Sequence, residues 1–182
     1  MKESEVFLSI VIPVFNEEEN LEPLYSKLKD FLDRESIESY EIIFVDDGSR
    51  DNSWEIIKKL KLKDSKVKGI RFIRNFGQTL ALYAGFEEAN GDVVITMDAD
   101  LQNDPEDIEI LLKELEKGYD VITGFRKERK DPFLTKVLPS RIANFLISLI
   151  TGIKLKDYGC TLRAYKRYVV KNLRLYGEMH RF

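Results

Sequence analysis

The stretch Val93–Pro105, VVITMDADLQNDP, carries the clearest structural signal in the chain. Its first five residues are apolar or β-branched, which is typical of a strand buried on both faces of a sheet. The strand is predicted to end at Asp98-Ala99-Asp100. Asp104-Pro105 then predicts a helix start, with Asp as the N-cap and Pro as the first helical residue. The two carboxylates therefore lie where a central strand leads into a helix.

This acidic pair is a candidate cation site. In open α/β sheets, ligands bind in the crevice at the carboxyl ends of the strands. Asp98 and Asp100 repel each other there, and a hard divalent cation would relieve the repulsion. With the amide oxygen of Gln102 they form an oxygen-rich set suited to Mg²⁺ or Mn²⁺. A capping Asp followed by a polar loop would give the same residues, so the pattern alone leaves both interpretations open.

Composition narrows the class of protein. The 182 residues, 43% of them hydrophobic, are enough for one domain with one core. A net charge of -3 and a pI near 5.4 argue against a general nucleic-acid binder, which would carry a basic surface. The single cysteine, Cys160, excludes an internal disulfide, and no secretory signal is seen, so we expect a cytoplasmic location. No apolar run reaches the roughly 18 residues of a membrane span.

Hydrophobic periodicity predicts alternating strands and helices up to residue 125. The predicted strands are residues 7–14, 41–45, 67–73, 93–97 and 119–125. Helices fill the intervals. The first is marked by apolar residues three or four apart from Leu21 to Leu32, and Ser49 or Asp51 is expected to cap the second. This βαβαβαβαβ order predicts an α/β fold with a mostly parallel central sheet and helices on both faces.

The pattern changes after residue 125. Residues 126–130, RKERK, form a mostly basic cluster, and residues 132–153 form a long apolar-rich helical stretch. That stretch either packs on an element outside this chain, lies on a membrane surface, or is a buried core helix. Beyond it, residues 161–165 are predicted as a short strand and residues 166–173 as a helix.

Three acidic loops follow three of the predicted strands. They are Asn16-Glu17 after the first strand, Asp46-Asp47 after the second and Asp98-Ala99-Asp100 after the fourth. The carboxyl ends of parallel strands meet at one edge of a sheet, so these acids are expected to lie together. Folding alone does not require like charges to gather there, which favours a binding site.

The motifs PVFNEEENL, FVDDGSRDNS, MDADLQNDPE, TGFR and DYGCTLRAY resemble those of the family-2 glycosyltransferases of GT-A fold. Within that family they look most like the dolichol-phosphate mannose synthase and polyprenyl-phosphate glycosyltransferase branch. The resemblance covers nearly the whole chain. It implies a Rossmann-like nucleotide-diphospho-sugar transferase fold, with residues 1–182 as a single catalytic domain. Residues 1–125 would be its nucleotide-binding half and residues 126–182 its acceptor-side half, with membrane segments expected after them.

The resemblance implies donor-side roles for residues that match the family's motifs. The matched residues are Pro13, Phe15 and Glu17 for the nucleotide, Val45 and Asp47 for the base, Asp98 and Ala99 for the ribose, and Asp100 and Gln102 for the metal. Asp98 also belongs to the candidate metal set as the first acid of the pair. The family often has Tyr where Phe15 stands, which removes one hydroxyl contact here.

Further matched positions concern the phosphates and the acceptor. Arg126 matches an arginine near the phosphates, and Arg141 falls where the family has another arginine, assigned here to the acceptor. Asp157 and Arg163 fall in the segment that faces the acceptor. The family commonly reads DxxSGFR or GDFR there, so the DYGCTLR of this chain is a variant.

The implied activity is metal-dependent, inverting transfer of a hexose from a nucleotide-diphospho-sugar to a polyprenyl phosphate, at the cytoplasmic face of a membrane. A cation on Asp100, together with Arg126, would stabilise charge that develops on the leaving diphosphate. A lipid phosphate needs no general base, whereas a hydroxyl acceptor would need a carboxylate such as Asp157. Two alternatives stay open: a transferase acting on a polysaccharide, protein or soluble sugar, and a nucleotide-sugar-binding module without turnover.

Overall fold

The structure, a computed structural model, describes residues 8–124, 160–175 and 177. Within them a six-stranded sheet carries helices on both faces. The strands are β1 (Leu8–Val14), β2 (Tyr40–Asp46), β3 (Val67–Arg71), β4 (Val93–Thr96), β5 (Val121–Thr123) and β6 (Arg163–Lys166). The helices are α1 (Leu21–Arg34), α2 (Ser53–Lys63), α3 (Gln78–Glu88), α4 (Asp107–Glu116) and α5 (Arg167–Asn172). The predicted α/β class is confirmed.

The strands lie in the order β3-β2-β1-β4-β6-β5. Strands β1 to β4 pair in parallel, so their carboxyl ends meet at one edge of the sheet. Strand β6 is antiparallel to both of its neighbours and lies between β4 and β5. Both β5 and β6 are predicted from hydrophobic patterning, but the position of β6 between β5 and the parallel strands is not.

Both faces of the central strands are buried, as their continuous apolar composition predicts. Because side chains alternate along a strand, β1 supplies two clusters. Ile10 and Ile12 pack with residues of α1, α2 and α4 on one face, whereas Val11 packs with residues of α3 and α5 on the other. The sheet is thus the middle layer of three.

Helix α3 packs directly on β1 because Gly85 has no side chain. A β-carbon at Gly85 would overlap with Cγ1 of Val11. Ala81, a turn away, is also fully buried against the sheet. This close approach fits the small, apolar character that the sequence shows for the helix.

One predicted helix start was wrong in position. Helix α4 begins at Asp107 rather than at Pro105. Asp104 still organises the start, because its Oδ1 accepts a hydrogen bond from the backbone N of Glu106 at 3.2 Å and its carbonyl accepts one from Asp107 at 3.0 Å. Helix α2 begins at Ser53, and the predicted cap Asp51 bonds to it: Asp51 Oδ1 accepts a hydrogen bond from the backbone N of Ser53 at 3.0 Å.

Several predictions fall outside the described residues. These are the basic cluster 126–130, the apolar stretch 132–153 and the site residues Arg126, Arg141 and Asp157. The division of the domain at residue 125 also stays a prediction. In the described part of the chain, no helix combines the length and hydropathy needed to cross a bilayer.

Candidate donor site

A cavity of about 310 Å³ opens at the carboxyl ends of the parallel strands. It is lined by Pro13, Val14, Phe15, Glu17, Asp47, Asn75, Gly77, Gln78, Asp98, Ala99 and Asp100. These residues come from the ends of β1, β2 and β4 and from the loop between β3 and α3. The three acidic loops recognised in the sequence therefore meet at one cavity, which is where ligands bind in open α/β sheets.

A larger cavity of about 560 Å³ opens at the amino ends of β1 and β4. Its lining includes Leu8 and Val93 at the starts of their strands, Ile37, and Leu112 and Leu115 of α4. Its lining also includes Ser36, Glu38, Ser39, Glu116 and Lys166, but it lies away from the carboxyl ends of the parallel strands, where ligands bind in open α/β sheets. The smaller cavity, which has converging carboxylates, is the better candidate site despite its size.

Backbone geometry and hydrogen bonds lock the loop after β1 to the loop after β2. Asn16 adopts a positive φ of 57°. Its backbone N donates to Ser49 Oγ at 3.0 Å, and its Oδ1 accepts from the backbone N of Arg50 at 2.8 Å. The backbone N of Glu17 donates to Ser53 Oγ at 2.9 Å. Ser49 thus holds the neighbouring loop rather than capping α2, and Glu17 has a fixed position at the cavity.

The adjacent acids Asp46 and Asp47 have different roles. Asp46 is fully buried, and its Oδ1 accepts a hydrogen bond from the backbone N of Ser49 at 3.0 Å while Arg71 Nε lies 3.2 Å from Oδ2. Asp47 lines the cavity and holds the next loop. Its two oxygens accept hydrogen bonds from the backbone N of Phe76 at 2.7 Å and of Gly77 at 2.8 Å. Asp46 therefore stabilises the turn, and Asp47 shapes the cavity wall.

The loop from residue 74 to residue 78 supplies cavity residues that were not predicted from the sequence. Asn75, Gly77 and Gln78 all line the cavity. The local signal was Gly77, whose φ of 96° lies in a region that favours glycine. The sequence shows that a loop follows β3, but not that Asp47 accepts hydrogen bonds from the backbone of that loop and so holds the loop at the cavity.

Asp98 and Asp100 are held differently. Asp98 Oδ1 accepts from Gln78 Nε2 at 2.8 Å, and Asp98 Oδ2 accepts from Thr161 Oγ1 at 2.6 Å. Asp100 Oδ1 accepts from the backbone N of Gln102 at 3.0 Å. Thr161 was not predicted as a site residue, since it lies far from the acidic pair in the sequence.

The oxygen ligands at the cavity fit a cation that is shared with a bound ligand better than a cation enclosed by protein. In the described residues, no group of three or more His, Cys, Asp or Glu side chains could hold a metal. Mg²⁺ is commonly bound through one or two carboxylates together with substrate phosphates. Asp100, half-buried at the cavity, meets that requirement. Gln102 is exposed, and its contact with Asp100 is made by the backbone.

Two other predicted site residues are buried. Val45 has no exposed surface and belongs to the hydrophobic cluster beneath the cavity, so its side chain offers nothing to a base in this arrangement. Arg163 is 5% exposed, and its Nε donates to the carbonyl of Cys160 at 2.9 Å. Arg163 does lie beside Asp98 and Thr161, in a small crevice next to the cavity. Its role toward an acceptor stays a prediction.

Comparison with known proteins identifies the family. The model of the family described as "Glycosyl transferase family 2" matches residues 9–174. The chain belongs to glycosyl transferase family 2. The match includes the acidic loops after β1, β2 and β4, so the cavity is part of the family's domain. This confirms the resemblance noted in the sequence.

Two relatives in the family indicate its branch. The chain is 48% identical to an undecaprenyl-phosphate 4-deoxy-4-formamido-L-arabinose transferase from Shewanella sediminis, over 91% of this chain and 50% of the relative. It is 43% identical to a dodecaprenyl-phosphate galacturonate synthase from Rhizobium johnstonii, over 96% of this chain and 52% of the relative. The chain thus spans about half the length of these relatives. The predicted polyprenyl-phosphate branch of the family is confirmed.

A solved structure shares the fold. Glucosyl-3-phosphoglycerate synthase from Mycobacterium tuberculosis, in complex with Mn²⁺, UDP and phosphoglyceric acid, superposes with a TM-score of 0.69. The two are 20% identical, and the match covers 92% of this chain and 58% of that one. The predicted GT-A fold is confirmed.

Proposed function

We propose that this chain is the donor-binding catalytic part of a metal-dependent, inverting glycosyltransferase that moves a sugar from a nucleotide-diphospho-sugar to a polyprenyl phosphate. The observation that carries the proposal is the single cavity at which Glu17, Asp47, Asp98 and Asp100 meet. Membership in glycosyl transferase family 2 supports the reaction class. The names of both relatives support the acceptor class.

On the donor side, the cavity would take the nucleotide between the end of β1 and the loop after β3. Phe15 is 43% exposed at the cavity and offers an apolar surface to a base or ribose. Asp47 acts by fixing the backbone of Phe76 and Gly77 against the nucleotide. Asp98 and the backbone at Ala99 would contact the ribose, as the family resemblance implies.

Asp100 would hold Mg²⁺ or Mn²⁺ together with the diphosphate of the donor. The Mycobacterium tuberculosis neighbour was crystallised with Mn²⁺ and UDP, which supports a divalent cation at this position. When bound, such a cation neutralises negative charge on the leaving diphosphate. The backbone N of Gln102 fixes the Asp100 carboxylate for this task. Arg126 would add positive charge near the phosphates.

The acceptor determines whether a base is needed. The phosphate oxygen of a polyprenyl phosphate is already anionic, so it can attack the anomeric carbon directly, with inversion. Asp157 would act as a base only toward a hydroxyl acceptor. Arg141 and Arg163 are proposed to act on the acceptor side. A lipid acceptor also implies work at a membrane surface, which we propose is the cytoplasmic one.

The test is transfer of a labelled sugar to undecaprenyl phosphate in detergent, with Mn²⁺, Mg²⁺ or EDTA. Donors should include a hexose, a hexuronate and a pentose derivative, because the names of the relatives include galacturonate and a formamido-arabinose. We expect a lipid-linked product that disappears with EDTA. A product formed only on a soluble sugar or a protein would contradict the acceptor class. Nucleotide-sugar binding without any transfer would favour a binding module.

A further inference from the structure

Thr161 links the segment after residue 160 to the donor cavity. Its hydroxyl donates to Asp98 Oδ2 at 2.6 Å. Its backbone carbonyl accepts a hydrogen bond from Thr96 Oγ1 at 2.7 Å, and Asn103 Nδ2 donates to its hydroxyl oxygen at 3.4 Å. One residue therefore joins the end of β4, the loop that follows β4 and the segment that leads into β6.

These contacts orient the Asp98 carboxylate from two sides. Gln78 Nε2, at the start of α3, binds one oxygen, and the Thr161 hydroxyl binds the other. Hydrogen bonds to a carboxylate are charge-assisted and short, so a pair of them restrains the plane of the group. The two hydrogen-bond donors belong to different segments of the chain, the start of α3 and the residues that lead into β6.

We propose that Thr161 is a positioning residue. Its hydroxyl orients Asp98 toward the nucleotide-sugar, so that nucleotide-sugar affinity depends on the segment leading into β6. The inference rests on the proposed function, because it takes Asp98 as a donor contact. Thr96 also holds the backbone of Thr161, because its hydroxyl donates a hydrogen bond to the Thr161 carbonyl. Residues on the acceptor side of the sequence thereby act on the donor cavity.

The side chain of Thr161 is suited to a clean test. Valine has nearly the same volume but no hydroxyl, while serine keeps the hydroxyl and loses only a methyl group. Loss of a hydrogen bond to a charged group should weaken nucleotide binding by about tenfold. Thr123→Val is the matched control. Thr123 lies on β5 on the far side of β6, and its hydroxyl contacts the carbonyl of Gly124 at 3.4 Å.

The experiment titrates the 182-residue chain with UDP, GDP, CDP, ADP and dTDP in the presence of Mn²⁺, by calorimetry. The tightest of these is then measured on the variants, together with thermal unfolding without nucleotide. We expect Thr161→Val to bind about tenfold more weakly, and Thr161→Ser and Thr123→Val to bind like the wild type. Thr161→Val should also unfold at a lower temperature than Thr123→Val, because it loses a hydrogen bond to a charged group, whereas Thr161→Ser should unfold close to the wild type. Thr161→Ala replaces Thr161→Val if the latter does not fold.

Two results would overturn the inference while leaving the proposed function intact. One is wild-type affinity in the hydroxyl-free variant. The other is an equal loss of affinity in Thr161→Ser, which would mean that packing rather than the hydroxyl matters. A wild-type chain that binds none of the five nucleotides would instead overturn the proposed function itself. The serine variant therefore separates a positioning role from a structural one.

Discussion

At the scale of single residues, the acids at the donor edge differ by what they bind. Asp46 is buried beneath the cavity and stabilises the turn after β2. Asp47 and Asp98 line the cavity and accept hydrogen bonds from neighbouring segments. Asp100 is held through a backbone amide. A cluster of acids in a sequence thus combines structural and ligand-binding roles, which only the contacts separate.

Asp100→Asn should abolish the Mn²⁺-dependent part of nucleotide binding while the protein stays folded. Replacing the carboxylate with an amide removes the anionic ligand that a hard cation requires. The amide keeps an Oδ1 that can accept the hydrogen bond from Gln102. Calorimetric titration with and without Mn²⁺ measures the effect. Asp104→Asn, an exposed acid on the same loop, should bind as the wild type does. Unchanged binding in Asp100→Asn would refute the metal assignment.

Asp47→Asn should weaken nucleotide binding both with and without Mn²⁺. An amide group would turn one N–H donor toward the backbone N–H of Phe76 or Gly77, and the cavity wall would shift. Because Asp47 is 3% exposed, we also expect the free energy of unfolding to fall by about 2 kcal/mol. Denaturant titration and calorimetry test this, with the exposed Asp92→Asn as control. A loss confined to Mn²⁺-dependent binding would place Asp47 in the metal site.

The sequence predicted much of this site but not its internal contacts. Pro13, Phe15, Glu17 and Asp100 line the cavity as expected, because strand ends and motif positions fix where such residues lie. The roles of Gln78 and Thr161 depend on long-range contacts with Asp98, 20 and 63 residues away along the chain. No local pattern encodes such pairings.

At the scale of secondary structure, the strand order shows the same limit. The four parallel strands follow from alternating hydrophobic segments, since each crossover helix places the next strand beside an earlier one. Strand β6 has a recognisable sequence but pairs with β4 and β5 from a distant part of the chain. Its position matters for function, because it brings Thr161 and Arg163 to the carboxyl end of β4.

A buried carboxylate, Glu41, stabilises the sheet near the amino end of β2, away from the cavity. Its Oε1 accepts hydrogen bonds from Ser9 Oγ at 2.6 Å and from the backbone N of Asn90 at 2.7 Å. Its Oε2 lies 2.8 Å from Lys68 Nζ. Burial raises the pKa of Glu41, but the hydrogen bonds from Lys68, Ser9 and Asn90 outweigh burial and bring the pKa below its ordinary value. The charged form therefore stabilises the junction of β1, β2, β3 and the loop after α3.

Glu41→Gln should lower the free energy of unfolding by about 2 kcal/mol at neutral pH. A lowered pKa in the folded state means that the charged carboxylate adds stability above its unfolded pKa, near 4.5, and loses it as the pH falls through the folded value. The difference between wild type and variant should therefore narrow below about pH 4.5. Glu88→Gln, the exposed second partner of Lys68, should cost less than about 0.5 kcal/mol. Denaturant unfolding across pH tests both, and a pH-independent difference would contradict the account.

At the scale of the whole molecule, the acidic cavity lies on a different part of the chain from the basic cluster and the apolar stretch that follows it. The described residues hold a donor cavity rich in carboxylates, whereas residues 126–130 are mostly basic and residues 133–153 are mostly apolar. A polyprenyl phosphate offers an anionic head and an apolar tail. Such an acceptor matches the second set of residues rather than the first.

We therefore expect the chain to bind vesicles that contain anionic lipid, and to release them as the salt concentration rises. Each basic residue near an anionic surface contributes about 1 kcal/mol, and inserted apolar side chains add to that. Replacing Lys127, Arg129 and Lys130 with Gln should weaken co-sedimentation without changing nucleotide affinity. The matched control replaces Lys58, Lys59 and Lys61, which are exposed on α2, with Gln and so makes the same change in net charge. Equal losses of vesicle binding in both triple variants would mean that only overall charge matters. Vesicle binding that changes neither with salt nor with the first triple replacement would favour an ordinary core helix for residues 133–153.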